Sequence, residues 1–162
     1  VCMQETNPNL FRHKERGQSL IEFAVAFVIL MMLLVGIVDL GRGFFTYMTL
    51  RDAAQEGAAY GSLYPTDSGD CTIYDPESST FNDACIRQRV RAATTSPVDL
   101  TNEEISVALT LVGGDACAGN GLKVDVEYDF PLIMPFFTAL MGTDTIPLHA
   151  TVTDEILRPY CP

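Results

Sequence analysis

From Arg16 to Val38 the chain reads RGQSLIEFAVAFVILMMLLVGIV, one apolar run with a single carboxylate, Glu22, near its start. Nothing else in the sequence constrains the fold as much. Leu20 to Val38 is nineteen residues. As a helix rising about 1.5 Å per residue, that stretch covers roughly 28 Å, close to the thickness of a bilayer's hydrocarbon core. Lipid offers backbone polar groups no water to bond, so a lone spanning segment must be helical, and the chain on its two sides lies in different compartments. The run is too long for the apolar core of a secretory signal. It is followed by Asp39-Leu40-Gly41-Arg42-Gly43, which has no small-residue cleavage pattern, so the segment is expected to stay in the mature protein.

The formal charge of −11 is unevenly distributed. Residues 1–17 hold three basic side chains (Arg12, Lys14, Arg16) against two acidic ones (Glu5, Glu15), whereas residues 39–162 hold seven basic against eighteen acidic. Basic residues just before the apolar run keep that end in the cytoplasm, and this sends the C-terminal 124 residues outside. So acidic an ectodomain, without a Lys/Arg stripe, repels phosphate backbones, and nucleic acid is not expected as a partner. Four of the five cysteines, Cys71, Cys85, Cys117 and Cys161, fall on the outside, where thiols can be oxidised. Four cysteines allow three connectivities. Cys71–Cys85 is favoured because its fourteen-residue separation is local and polar, with free thiols as the alternative. Cys2 precedes Met3, a candidate start, and is given no role.

The expected organisation is a cytoplasmic leader (1–17), a transmembrane helix (18–38), an extracytoplasmic continuation of that helix (39–62) and an extracytoplasmic α+β domain (63–162). Val1–Gly17 is polar, contains the turn signal Asn7-Pro8-Asn9 and lacks a periodic apolar face, so it is expected to be flexible. Beyond Val38, Leu40, Phe44, Tyr47, Arg51, Ala54, Ala58 and Gly61 recur at helical spacing and predict one stripe along a continuing helix. Small residues from Ala53 to Ser62 would let another surface approach it closely. Gly61 is read as a C-terminal breaker, with Pro65 stopping any continuation. Asn82 is read as the cap of a short helix running to about Thr94, with Ile86, Val90 and Ala93 on one face. Then the period changes to two: Glu104–Val112 and Leu122–Phe130 alternate apolar and polar residues, and Ile146–Ile156 supplies a third strand. Residues 131–141, PLIMPFFTALM, are too short to span a bilayer and either cover the core or contact the membrane interface or a neighbouring subunit. Phe44, Phe45 and Tyr47 are a partner-helix face or an interfacial aromatic belt. Asp39 and Arg42, three apart, can pair or simply be solvated at the headgroups.

Few residues suggest chemistry. His13 lies in the leader and His149 alternates within a strand, so a His-dependent nucleophile has nothing to draw on, and no enzymatic activity is expected. Asp67, Asp70 and Asp75 match no calcium-loop spacing, and Cys71 and Cys85 do not have zinc-ligand spacing. No metal or other cofactor is expected. Glu22 is different, because a carboxylate within a spanning helix costs roughly 2.5–3.5 kcal/mol at the bilayer centre, less near an end, and usually has a partner.

Arg16-Gly17-Gln18-Ser19-Leu20-Ile21-Glu22-Phe23 resembles a type IV prepilin leader junction: basic residues, a Gly, then a carboxylate five positions on at the head of an apolar helix. The Glu22-Phe23 pair is similar to the signature of the Flp/Tad branch. The wider run, RGQSLIEFAVAFVILMMLLVGIVDLGRGFFTYMTLRDAAQEGAAYGS, resembles the TadE-like family of minor pseudopilins, including its Asp-Leu-Gly-Arg and Ala-Ala-x-Glu-Gly-Ala elements. The ending VDVEYDFPLIMPFF…TIPLHATVT is similar to the family's C-terminal portion more loosely. The resemblance implies a pilin-like fold, cleavage by a prepilin peptidase and a role in assembling Tad pili with other pilins or pseudopilins. Carried over to this chain, Gly17 is the last leader residue, Gln18 the first mature one, and Glu22 the assembly carboxylate. The alternative is an uncleaved single-pass adaptor that binds an envelope or secretion partner.

Overall fold

The computed structural model describes residues 12–66, 71, 81–93, 96, 98–101, 105–134, 138–139 and 142–158. In chain order the elements are α1 (Arg12–Leu63), α2 (Asp83–Ala92), β1 (Ile105–Val112), β2 (Gly121–Pro131) and β3 (Thr145–Glu155). By contacts the chain divides into two compact units, Val1–Leu40 and Gly41–Pro162. The 52-residue α1 enters both.

In the first unit α1 starts at Arg12, inside the stretch read from sequence as flexible. Helix propagation is cooperative, so the apolar run extends its order backwards through residues that are individually good helix formers. Gly17 costs only about 1 kcal/mol against Ala in such a context. From Gly17 to Val35 every residue is exposed. A soluble protein does not present so much unpartnered apolar surface.

The second unit is an α+β fold with a three-stranded antiparallel sheet in the order β1-β2-β3. Its register puts Leu109 opposite Val124 and Val124 opposite Val152. Alternation sends Ile105, Val107, Leu122, Val124, Val126, Phe130 and Ala150 into the core and leaves Asp125, Glu127 and His149 on the outer face. The core closes against α1 through Leu50, Ala53, Ala54 and Ala58, and against α2 through Ile86 and Val90. The buried stripe of α1 matches the expected one only in part. Ala54, Ala58 and Gly61 are buried as expected, whereas Leu40, Phe44, Tyr47 and Arg51 are exposed, and Thr46, Leu50, Ala53 and Gly57 are buried as well. Close packing selects the small residues here, because the sheet and α2 come too near for large ones. Gly61 is accordingly no breaker: it lies within α1, where an added Cβ would overlap Leu122 Cδ2 and Ile86 Cδ1.

Asn82 stands at the N-cap position of α2, yet its side chain makes no cap hydrogen bond. Its Nδ2 donates instead to the Tyr64 carbonyl (3.1 Å), one of the groups left open at the end of α1. Ala93, expected on the buried face, is exposed. Cys71 and Cys85 form a disulfide that ties the 66–81 connection to α2, and Cys117 is also disulfide-bonded. Cys161 lies outside the described residues, as do Asp67, Asp70, Asp75 and most of the 131–141 stretch beyond Met134.

One turn before β1 is polar and titratable. Asp99 Oδ1 accepts hydrogen bonds from Thr101 Oγ1 (2.6 Å) and the Thr101 N–H (3.0 Å). The side-chain bond first, and the backbone bond second, hold the Asp99 carboxyl below its ordinary value. A lowered folded pKa means that the turn's stabilisation is complete above the ordinary carboxylate range and is lost as pH falls through the lowered value. In an NMR titration the Thr101 amide should therefore shift with a midpoint below that of an unstructured aspartate. The shift should vanish in Asp99→Asn.

Candidate functional site

The four residues expected from sequence to serve leader cleavage and assembly, Gly17, Gln18, Glu22 and Phe23, lie on α1. Gly17 and Gln18 precede Glu22 by about one helical turn, and Gln18 and Glu22 share a face at i, i+4 spacing. Side chains on a helix lean towards its N-terminus, so the Glu22 carboxylate is directed back towards Gln18. Glu22 is exposed, and its neighbours are apolar and exposed as well: Leu20 at 68%, Phe23 at 69% and Val25 at 58%. Phe23 stacks on Phe27 with ring centroids 6.0 Å apart. A lone carboxylate in such a setting is poorly solvated as soon as lipid or another helix covers the apolar surface. The arrangement offers an acceptor for a cationic donor.

A Cβ built on Gly17 would meet nothing within 4 Å among the described residues. The residues from Gly17 to Leu63 contain a helix long and apolar enough to cross a membrane, with none of its apolar window buried. An N-terminal apolar helix of this kind suggests a membrane anchor.

In the second unit the small-residue stretch does admit another surface: Gly57 and Gly61, one turn apart, form a notch that receives Val90, Ile86 and Leu122. The G-x-x-x-G spacing, a known sign of close helix approach, was the signal available for it. Arg89 joins α2 to α1, with Nε 2.9 Å from Glu56 Oε1 and the guanidinium 5.8 Å from the Tyr60 ring centre. Arg87 pairs with Asp83 (2.8 Å) and also donates from Nη1 to the Val107 carbonyl, which covers part of the outer edge of β1. His149 Nε2 lies 3.5 Å from Glu127 Oε1 across the outer face of the sheet, an exposed pair of little energetic weight.

Among known proteins, residues 17–59 match the family model described as TadE-like protein. The matched stretch begins at Gly17, includes Glu22 and Phe23, and continues to the Gly57 notch. No curated protein and no solved structure matches the chain.

Proposed function

We propose, taking the match over residues 17–59 as premise, that the chain is a minor pseudopilin of a Tad-type pilus assembly or secretion system. The TadE-like match points to a Tad pilus-associated protein, and the apolar part of α1 is its membrane anchor. On this reading the protein inserts with residues 1–17 in the cytoplasm and the 63–162 domain outside. A prepilin peptidase cuts after Gly17, and the trimmed subunit is built into the pilus or primes it with other pilins. Cleavage leaves a new α-ammonium on Gln18. Held by Glu22 of a neighbouring subunit, that amine sets the axial register as helices leave the lipid and bundle. No catalytic role or cofactor is assigned.

The observation that carries this reading is the pairing of an unpacked Gly17 with an apolar-flanked Glu22, inside the matched stretch. The test is the intact mass and N-terminal residue of protein isolated from native membranes. Protein beginning at Gln18 supports the proposal, and protein retaining residues 1–17 removes it. Gly17→Leu, which adds bulk at the scissile bond where the fold has open space, should remain at full length while still entering the membrane.

The uncleaved adaptor reading draws on one observation. α1 runs without a break from Arg12 through the Gly17–Gln18 bond, so a peptidase must first unwind that turn. The same intact mass separates the two readings.

A further inference from the structure

We infer that the α+β domain docks on a second copy of itself through a two-point ionic contact, in which Arg91 and Arg87 of α2 receive the Asp129 and Glu127 carboxylates from the outer face of the next copy's sheet. The inference rests on the pseudopilin reading above, which brings subunits together, and concerns the Gly41–Pro162 unit alone.

Residues 39–162 hold only seven basic side chains, and three of them, Arg87, Arg89 and Arg91, lie on α2. Arg89 turns to α1 and pairs with Glu56. Arg87 gives Nε to Asp83 and Nη1 to the Val107 carbonyl, which leaves Nη2 uncommitted. Arg91 is different: its Nε is buried and has no partner among the described residues. A guanidinium cannot shed its proton to escape that setting, so it calls for an anion. Arg87, Gln88, Arg91 and Thr101 line a hollow of about 500 Å³ whose other walls are Ala84 and Ala92, small enough to let a protein surface come close. The carboxylates that touch these lining residues, Asp83 on Arg87 and Asp99 on Thr101, leave Arg91 unpaired.

The complement stands on the same chain. Asp125, Glu127 and Asp129 form a row on the outer face of β2. Lys123 lies 3.6 Å from Asp125 and His149 lies 3.5 Å from Glu127, whereas Asp129 is opposite Pro147 and has no cation beside it among the described residues. Alternate residues of a strand are about 6.8 Å apart, and residues i and i+4 of a helix roughly 5–6 Å, so two arginines one turn apart match two carboxylates two residues apart. Because α2 packs on the inner face of the sheet through Ile86 and Val90, one copy keeps its arginines away from its own acid row. A contact between two different patches of one chain is heterologous, and it extends from copy to copy as a ring or a filament.

Full-length protein with p-benzoylphenylalanine at the exposed Gln88 position, inside the hollow, is made in cells that hold the native pilus system and is then irradiated. The expected product is a pair of copies crosslinked from that position to the 122–130 stretch of the second copy. Arg91→Glu and Asp129→Arg should each lower its yield roughly tenfold by setting like charges together, and the double reversal should restore most of it. An intact Cys71–Cys85 disulfide and an unchanged near-ultraviolet circular dichroism spectrum show that each variant is folded. A crosslink to another protein or to another stretch of this chain overturns the inference, as do single reversals without loss or a double reversal without recovery. Protein trimmed at Gln18 that gives no crosslink overturns the contact and leaves the pseudopilin reading. Untrimmed protein that gives the crosslink removes that reading and keeps the contact.

Discussion

Gly57→Ala should destabilise the α+β domain by about 1–2 kcal/mol, although alanine is the better helix former. An alanine Cβ at this position overlaps Val90 Cγ2 and stands 3.7 Å from Val124 Cγ1 and Val90 Cβ. Val90 and Val124 are both fully buried. Val90 also lies on α2, where a β-branched side chain has essentially one rotamer, so it can yield only if α2 shifts. Overpacking of this kind costs about 1–3 kcal/mol, and gaining alanine's helix propensity returns up to about 1. Denaturation of the full chain in micelles, followed by near-ultraviolet circular dichroism, should show a midpoint several degrees lower. Gly41→Ala is the opposite control. Its Cβ would meet nothing within 4 Å, so the same substitution there should be neutral or stabilising by up to about 1 kcal/mol.

A double-mutant cycle identifies the cause. Val90→Ala alone leaves a cavity and should destabilise, but it also removes the atom that Gly57→Ala strikes. The double variant should be more stable than the sum of the two single effects predicts, by about 1 kcal/mol. Strict additivity would sink the notch as an explanation for Gly57 and leave the glycine without a packing role.

The notch also marks where the sequence stopped being readable. The strands were legible because alternation is local: the apolar residues of Leu122–Phe130 face one way whatever they later meet, and β2 spans Gly121–Pro131. The buried face of α1 was legible only in part. Ala54, Ala58 and Gly61 of the expected stripe are buried, but Leu40, Phe44, Tyr47 and Arg51 are exposed, and Ala53 and Gly57 join the buried side because residues far along the chain, Val90 and Val124 among them, pack there. Asn82 shows the same limit at one side chain. Its type fits a cap, but the open carbonyl of Tyr64 at the end of α1 takes its amide. The candidate site residues were named from local spacing alone: Gln18, Glu22 and Phe23 were read on one helix and lie on α1, whereas Gly17, read as the end of a flexible leader, is helical as well, because helix order propagates backwards from the apolar run.

On the proposed pseudopilin function, Glu22→Gln should leave the protein in the membrane, at normal abundance and normally trimmed, and abolish its contribution to pilus assembly. Removing the charge makes the apolar helix easier to insert, since a carboxylate within it costs energy that an amide of equal size largely avoids. Assembly responds in the opposite sense. A hydrogen bond between charged groups contributes about 1.5–3 kcal/mol against roughly 1 for a neutral one, more where water is excluded. Each subunit contact would then weaken by about 1–2 kcal/mol, or roughly 5- to 30-fold in its association constant, and the losses compound along a filament. Glu22→Asp keeps the charge on a stem shorter by one methylene and should assemble partially. Intact mass belongs in the same experiment, because an untrimmed Glu22→Gln protein would fail for want of the amine and say nothing about the carboxylate. If trimmed Glu22→Gln subunits support normal piliation, the pairing of Glu22 with a neighbour's terminus is wrong, and the carboxylate sits shallow enough to be served by headgroup water.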